Sequence, residues 1–289
     1  MQAKKEAPLR LQLNEKNVKL FVDLLTKIKM PFTLTITNYT TRIESENYNV
    51  YFMKNAQSNM TFAAAAKIKK DLKEHKPPTI DMDKNVYFDS SFKGEFFSDY
   101  AWNIDLKSAY ATILFNDGYI KKETFEYLTK LPKAARLAAV GMCASRKTIF
   151  YHDANGRVKS FKEEINPLAP FFFYCVQKTE AIIKDLRNKL FGDTFLFSWV
   201  DSIYYLNEND TYYNIAIEYL REEYNIQATW KKLENFEVQA KKRNYRVMFD
   251  ELKEDKKKRK IFNVPYPETL YKKKIINYLL KKQYSAEKN

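Results

Sequence analysis

The sequence contains few of the residues on which several common kinds of site depend. Its two cysteines, Cys143 and Cys175, cannot form a disulfide framework or a four-thiolate zinc site. Its two histidines are too few for a multi-histidine metal site, and its 5 glycines are too few for a glycine-rich phosphate-binding loop. Any catalysis on phosphate groups must therefore use carboxylates with hard cations, together with basic side chains.

Long apolar runs are also absent. No stretch of about 18 apolar residues occurs, so we expect no transmembrane helix. Residues 1–17 lack the apolar segment of a secretory signal, and the scarcity of cysteine favours a reducing cytoplasm. The 289 residues, 45% of them hydrophobic, suffice for one large domain or for two to three small ones.

The chain has a formal charge of +14, which favours a polyanionic partner. Residues 229–289 contain 18 Lys and Arg against 8 Asp and Glu, a net charge of +10. Aromatic residues are interleaved with the basic runs, as in surfaces that neutralise phosphates and stack bases. We expect a nucleic-acid surface here and no membrane partner, because the runs form no amphipathic helix. The alternative is a solvated basic face above ordinary core aromatics.

The N-terminal part predicts a small unit of helices and strands. Residues 14–29 have helical spacing, 32–53 alternate as two strands with a polar turn near 45–47, and 58–73 form a second helix. His75 to Pro78 ends that helix. The apolar face of the first helix comprises Val18, Phe21, Leu24, Leu25 and Ile28.

The following segment predicts a strand, several helices and then a hairpin, so the predicted class is α+β. Tyr100 to Ile104 form a strand that ends at Asp105, and residues 194–206 form an apolar hairpin with Asp201 at its bend. The predicted helices between them cover residues 120–131, 133–147 and 171–191.

Asp105 and Asp201 stand out because each interrupts an apolar segment. A carboxylate at such a place is costly unless it is paired or binds a cation. Two strand ends of one sheet can bring two carboxylates together, and such a pair can hold two Mg²⁺ ions for in-line phosphoryl transfer. The alternative is structural: Asp105 caps the next helix and Asp201 makes a hairpin turn.

Four segments, in this order, resemble the motifs of family B DNA polymerases. Asp105 to Thr112 resembles the first palm motif, D-x-x-S-L-Y-P-S. Arg136 to Ala144 resembles the fingers helix, K-x-x-x-N-S-x-Y-G. Trp199 to Ser202 resembles the third motif, D-T-D-S, and Lys241 to Arg246 resembles the lysine–tyrosine motif near the primer terminus. The resemblance covers about half of the chain.

The resemblance implies how the site handles metal and nucleotide. Asp105 and Asp201 would be the catalytic metal ligands for two Mg²⁺ or Mn²⁺ ions, with the Leu106 carbonyl completing a metal shell. The amides of Ser108 and Ala109 would hold the triphosphate of the incoming dNTP. Two further side chains complete the implied nucleotide site. Tyr110 would lie under the sugar and exclude a 2′-hydroxyl. Arg136, or Lys133 in its place, would grip the phosphates.

The resemblance also implies partners. The primer–template would be contacted by Lys241, Lys242, Arg243 and Tyr245. An accessory replication or priming protein is a further candidate partner. The sequence departs from the family at Trp199, which occupies the register of the first Asp of D-T-D-S, and at Ala111, Val140 and Gly141.

The implied architecture is a right hand with an antiparallel-sheet palm, helical fingers and a short basic helical thumb. The implied boundaries are 1–90 for a small N-terminal α/β domain, 91–110 and 171–245 for the palm, 111–170 for the fingers and 246–289 for the thumb. The segment before the palm is short, so we expect a compact DNA-directed DNA polymerase of the phage or plasmid type, without proofreading.

Two alternatives remain open. One is a primase–polymerase that initiates without a primer and takes its carboxylates from Asp81, Asp83 and Asp201. The other is a nucleic-acid-binding protein on a polymerase fold that has lost catalysis, suggested by the altered fingers motif.

Overall fold

The chain folds into two units, each with its own sheet. The computed structural model describes residues 9–12, 15–37, 40–53, 59–81, 88–207, 212–242, 244–253 and 256–266. The first unit comprises residues 1–82 and 117–174, and the second comprises 83–116 and 175–289. The first unit thus joins the expected N-terminal domain to most of the expected fingers, which the sequence analysis had separated.

The described residues form an α+β fold, as predicted. The strands are β1 (Leu9–Gln12), β2 (Phe32–Thr37), β3 (Thr40–Ser45), β4 (Asn49–Met53), β5 (Phe88–Ser90), β6 (Phe96–Leu106), β7 (Arg146–His152), β8 (Val158–Ile165), β9 (Phe195–Trp199), β10 (Ser202–Tyr205), β11 (Ala228–Ala240), β12 (Asn244–Lys253) and β13 (Lys256–Pro265). The helices are α1 (Glu15–Lys27), α2 (Asn59–Leu72), α3 (Ala109–Asn116), α4 (Lys122–Thr129), α5 (Lys133–Gly141), α6 (Ala169–Leu186) and α7 (Tyr212–Tyr224).

The first unit contains a six-stranded sheet in the order β1-β4-β3-β2-β7-β8. Its pairs are antiparallel except β1 with β4. Residues 32–53 make three strands instead of the predicted two, because Thr41 and Ile43 of β3 point into the core between polar neighbours. The predicted helix over 133–147 ends at Gly141, and β7 begins at Arg146, where Thr148 to Tyr151 favour a strand. The expected fingers segment is therefore only partly helical.

Helix α1 covers the core of the first unit. Leu25 is fully buried against a cluster that includes Ile43 and Phe52, and Val18 and Phe21 pack beside it. The predicted apolar face was wrong for two members, since Leu24 is 46% exposed and Ile28 is 45% exposed. The buried stripe instead follows the narrower helical spacing of Val18, Phe21, Val22 and Leu25.

The second unit contains a seven-stranded sheet in the order β13-β12-β11-β6-β10-β9-β5. The sheet is curled, because its two edge strands, β13 and β5, contact each other. The concave face encloses an aromatic core in which Phe197, Phe236, Phe249 and Phe262 make ring contacts with one another. The predicted long helix and hairpin are present as α6 and the β9–β10 pair.

The expectation of a helical thumb over residues 246–289 is wrong for its described part. Strands β12 and β13 occupy that part, and residues 267–289 lie outside the described residues. Strand β12 is favoured over a helix because its alternate residues Tyr245, Val247 and Phe249 point into the core and are 3%, 0% and 1% exposed.

The end of α1 allows a test of backbone strain. Met30 N–H donates to the Leu25 carbonyl (2.9 Å) and Lys29 N–H to the Thr26 carbonyl (3.1 Å), while Lys29 has a φ of 52°. Glycine is preferred at this position of such a helix end, since a side chain is strained there. We expect Lys29→Gly to raise the free energy of unfolding by about 1 kcal/mol in chemical denaturation.

Lys29→Ala is the matched control, because it removes the same charge and leaves the strain of a side chain at positive φ. An equal gain in both variants would attribute the effect to charge and contradict the strain argument.

Candidate active site

The pairing of β6 with β10 brings Asp105 and Asp201 together. The two strands are antiparallel neighbours, with Ser202 directly opposite Asp105. The Leu106 N–H donates to the Asp201 carbonyl at 2.9 Å. Asp201 therefore lies one position beyond the last cross-strand pair, at the same end of the sheet as Asp105.

Both carboxylates lie next to backbone in the left-handed region. Val200 immediately precedes Asp201 and has a φ of 57°, and Ser108 follows Asp105 by three residues with a φ of 54°. Positive φ is rare for a β-branched residue and costs on the order of 1–3 kcal/mol. Such strain persists where surrounding structure imposes it, and it clusters at functional sites. Here the buried strands β9 and β10 impose it on the two-residue turn between them.

The carboxylates border the aromatic core of the second unit. The Ser202 hydroxyl donates to Asp105 Oδ1 at 2.6 Å. Tyr204, stacked on Phe197 with ring centroids 4.0 Å apart, lies beneath them. Burial raises the pKa of Tyr204 well above its usual range, and the nearby charges of Asp105, Glu251 and Asp201 raise it further. The carboxylates of Asp105 and Asp201 thus lie next to aromatic side chains, and a bound cation would offset the cost of their desolvation.

Tyr110 lies beside Asp201. It is the second residue of α3, and its carbonyl accepts a hydrogen bond from Cys175 Sγ at 3.6 Å. Burial raises the pKa of Tyr110 well above its usual range, with further contributions from Cys175 and Asp201. Its phenol therefore stays protonated at neutral pH and can act as a neutral wall or as a donor.

Two of the residues between Asp105 and Tyr110 can contact a ligand only through their backbone. The side chains of Leu106 and Ala109 are 1% and 3% exposed, so only their backbone atoms can face a ligand. Ser108 and Ala109 lie at the N-terminal end of α3, whose first helical bond runs from Thr112 N–H to the Ser108 carbonyl (3.0 Å). The N–H groups of a helix N-terminus are suited to bind phosphate oxygens.

The predicted phosphate-gripping residues lie in the first unit. Lys133 is exposed at the start of α5. The Arg136 guanidinium donates through Nη1 to the Leu131 carbonyl at 3.3 Å. Since Asp105 and Asp201 belong to the second unit, the roles of Lys133 and Arg136 at the nucleotide stay predictions.

The lysine–tyrosine motif lies far along β11 from the carboxylates. Thr229 is opposite Asp105, and the strand then runs to Lys241 over about 40 Å at roughly 3.3 Å per residue. Lys241 and Lys242 are exposed in the turn after β11, and Arg243 lies outside the described residues.

The prediction that Tyr245 contacts DNA is wrong for its side chain. The ring is 3% exposed in the core of the second unit, and its hydroxyl donates to the Phe92 carbonyl at 2.9 Å. The primase-type alternative relied on Asp81, which is exposed, and on Asp83, which falls outside the part of the chain that the structure describes.

Sequence reasoning missed a basic residue on the same face as Asp105. Lys231 lies opposite Asn103, two positions from the Asp105–Thr229 pair, and donates to Glu251 Oε1 at 2.8 Å. Burial tends to raise the pKa of Glu251, but Lys231, Lys260 and Lys258 together outweigh it and the pKa is lowered. The only available signal was the alternation within β11, which cannot identify the opposing strands.

Much of the most basic run is paired across strands. Lys257 bonds Glu234 at 2.7 Å, and Arg259 bridges Glu237 and Asp250 at 3.3 Å each. For Lys257 and Arg259, these ion pairs fit an ordinary solvated basic face better than a surface dedicated to nucleic acid.

A metal at this site would have few protein ligands. Within the described ranges, no three His, Cys, Asp or Glu side chains gather as a metal-binding group. Two carboxylates and a backbone carbonyl are all-oxygen donors, which suit Mg²⁺ when it also keeps waters and substrate phosphates. The donor set therefore fits a metal that is shared with a substrate.

Comparison with known proteins gives no independent guide. No protein-family model matches the chain, and no curated protein matches its sequence. None of the described helices is both long and apolar enough to cross a membrane.

Proposed function

We propose that this protein is a DNA-directed DNA polymerase, a nucleotidyltransferase that joins a primer 3′-hydroxyl to the α-phosphate of a dNTP. The observation that carries the proposal is the convergence of Asp105, Asp201 and Tyr110 at one end of β6 and β10. The motif order resembles that of family B polymerases, and the strand and hairpin that carry the two aspartates are neighbours in one sheet.

In this proposal the chain positions reactants and concentrates charge. Asp105, Asp201 and the Leu106 carbonyl would hold Mg²⁺ or Mn²⁺, which would supply Lewis-acid chemistry at the attacking hydroxyl and at the leaving pyrophosphate. The Ser202 hydroxyl fixes the orientation of Asp105, since it donates to that carboxylate at 2.6 Å.

The remaining residues orient the nucleotide and the DNA. The amides of Ser108 and Ala109 receive the triphosphate, and the Tyr110 ring lies under the sugar. The resemblance gives the role of gripping the phosphates to Arg136 or, as the competing candidate, to Lys133. Lys241 and Lys242 contact the DNA backbone farther along the sheet, and the resemblance gives the same role to Arg243.

Removing either carboxylate tests the mechanism. We expect Asp105→Asn and Asp201→Asn to lower primer extension by about 10³-fold or more, because each removes an anionic metal ligand. DNA binding should change little in both. The measurement is extension of a labelled primer–template in Mg²⁺ and in Mn²⁺, with DNA affinity measured in parallel.

Asp99→Asn is the matched control, since Asp99 is an exposed residue of the same strand, and it should retain full activity. Full activity in both site variants would exclude this mechanism. DNA binding by the wild type without incorporation would favour a fold that has lost catalysis, and synthesis on single-stranded template without primer would favour the primase type.

Truncating Tyr110 tests its role at the sugar. We expect Tyr110→Ala to raise the use of NTPs relative to dNTPs by about 10²-fold or more, because a wall against the 2′-hydroxyl is lost. Tyr110→Phe keeps the ring and should keep the selectivity. The ratio of kcat/KM for each dNTP and its NTP measures the effect, and an unchanged ratio in Tyr110→Ala would remove the residue from the sugar site.

A further inference from the structure

A cavity lies beside the first half of β6 in the second unit, at the end of the strand away from Asp105. It has a volume of about 510 Å³, which is within the range of sites that bind small organic groups. The aromatic residues Phe96, Phe97 and Tyr100 line it together with Leu206. Tyr100 precedes Asp105 by five residues, a distance of about 17 Å at roughly 3.3 Å per residue. The cavity is therefore separate from the candidate active site.

Phe97 presents most of its ring to solvent at this cavity. It is 61% exposed, whereas the neighbouring Phe96 packs partly against the aromatic core of the unit. A single exposed apolar residue is common on protein surfaces, but here the ring adjoins other aromatic rings in one concavity. Such a grouping is typical of sites that bind a planar apolar group.

A lysine places positive charge next to these rings. Lys232 lies opposite Trp102 in the pairing of β11 with β6, and its Nζ lies 5.6 Å from the centroid of the Tyr100 ring and 5.5 Å from that of Trp102. Among the residues that the structure describes, none forms an ion pair with Lys232, whereas Lys231 and Lys257 are both paired with glutamates. Its ammonium group can therefore bind an external anion without first breaking an ion pair.

A second exposed ring lies on the same face of the sheet as Lys232. Trp230 precedes Lys232 by two residues, and the pairing with β6 is regular between them, so both side chains point to the face opposite that of Asp105. Trp230 is 41% exposed, and Tyr213 of α7 stacks on its ring with the centroids 4.1 Å apart. This stacking orients the Trp230 ring while much of it stays open to a ligand.

Aromatic rings on either side of an unpaired lysine match the chemistry of single-stranded DNA. Bases stack on aromatic side chains with little regard to sequence, and cations between the rings neutralise phosphates. An uncharged ligand would leave Lys232 unused. A duplex would not use the rings, because the faces of its bases are hidden in the base stack.

We propose that the surface formed by Phe97, Tyr100, Trp230 and Lys232 binds single-stranded DNA, with bases stacked on Phe97 and Trp230 and a phosphate on Lys232. The choice of DNA as the ligand rests on the proposed function, for which the unpaired template is such a strand. The binding itself requires neither metal nor catalysis, so it is measured independently of polymerase activity.

Fluorescence anisotropy of a labelled oligo(dT) of roughly 12 nucleotides, in EDTA, tests the surface. We expect Phe97→Ala and Trp230→Ala each to weaken binding by about 10-fold, because each removes one stacking surface. Phe97→Tyr keeps a ring and should bind like the wild type. Lys232→Ala should weaken binding and also lower the slope of log affinity against log salt concentration by about 0.7, the value for one phosphate contact.

An abasic strand of the same length and charge separates stacking from electrostatic attraction. It should bind the wild type and Phe97→Ala equally, because it has no bases to stack. Phe161→Ala and Lys19→Ala are the matched controls, since Phe161 of β8 is 65% exposed and Lys19 is an exposed residue of α1, and both should bind oligo(dT) like the wild type. Circular dichroism of each variant checks its fold.

Three results would overturn the proposal: a wild type that does not bind oligo(dT), ring variants that bind it as tightly as the wild type, and an equal loss of affinity for the abasic strand in Phe97→Ala. Primer extension is measured separately in Mg²⁺. Its absence in the wild type would contradict the proposed polymerase activity alone, since the stacking result is obtained without catalysis.

Discussion

The register between β6 and β10 is the constraint on which the candidate site depends. Ser202 faces Asp105, and this pairing places Asp201 at the same end of the sheet. Side chains alternate between the two faces of a strand, so a slip by one residue would move Asp105 to the face where Ile104 and Leu106 are buried. The apolar alternation of β6 therefore specifies the register and, with it, the position of the carboxylate.

The curled sheet explains the departure at Trp199. In the family that the motifs resemble, the matching position carries an aspartate. Here the Trp199 ring lies 4.5 Å from that of Phe88 and 5.2 Å from that of Phe262, and it is partly buried against the core where β5 and β13 approach. A carboxylate there would be desolvated among aromatic rings without a partner, which is costly. The proposed site thus depends on one aspartate of the hairpin, supported by Ser202.

Local patterns predicted the elements that hold the candidate site, and they failed where the pairing partners of a strand decide its structure. The strand ending at Asp105, the hairpin at Asp201 and helix α6 all follow from contiguous apolar periodicity. The helical thumb and the exposed Tyr245 were wrong because β11, β12 and β13 pair as successive hairpins, which bury Tyr245, Val247 and Phe249 on one face of β12. Lys231 beside Glu251 is likewise a contact across two strands, and a single sequence does not reveal which strands are neighbours.

The pairing of β11, β12 and β13 also changes what the basic C-terminal segment can do. Each cation of a basic run could in principle bind a phosphate, yet Lys257 and Arg259 already form ion pairs with carboxylates on the same sheet. Binding a phosphate there would exchange one anion for another in a largely exposed setting, where each ion pair contributes only about 0–1 kcal/mol. Any gain would then come mainly from released counterions, and fewer are released by a cation that is already neutralised. The DNA affinity that the proposed function requires would therefore depend less on the length of the basic run than on the exposed lysines Lys241 and Lys242.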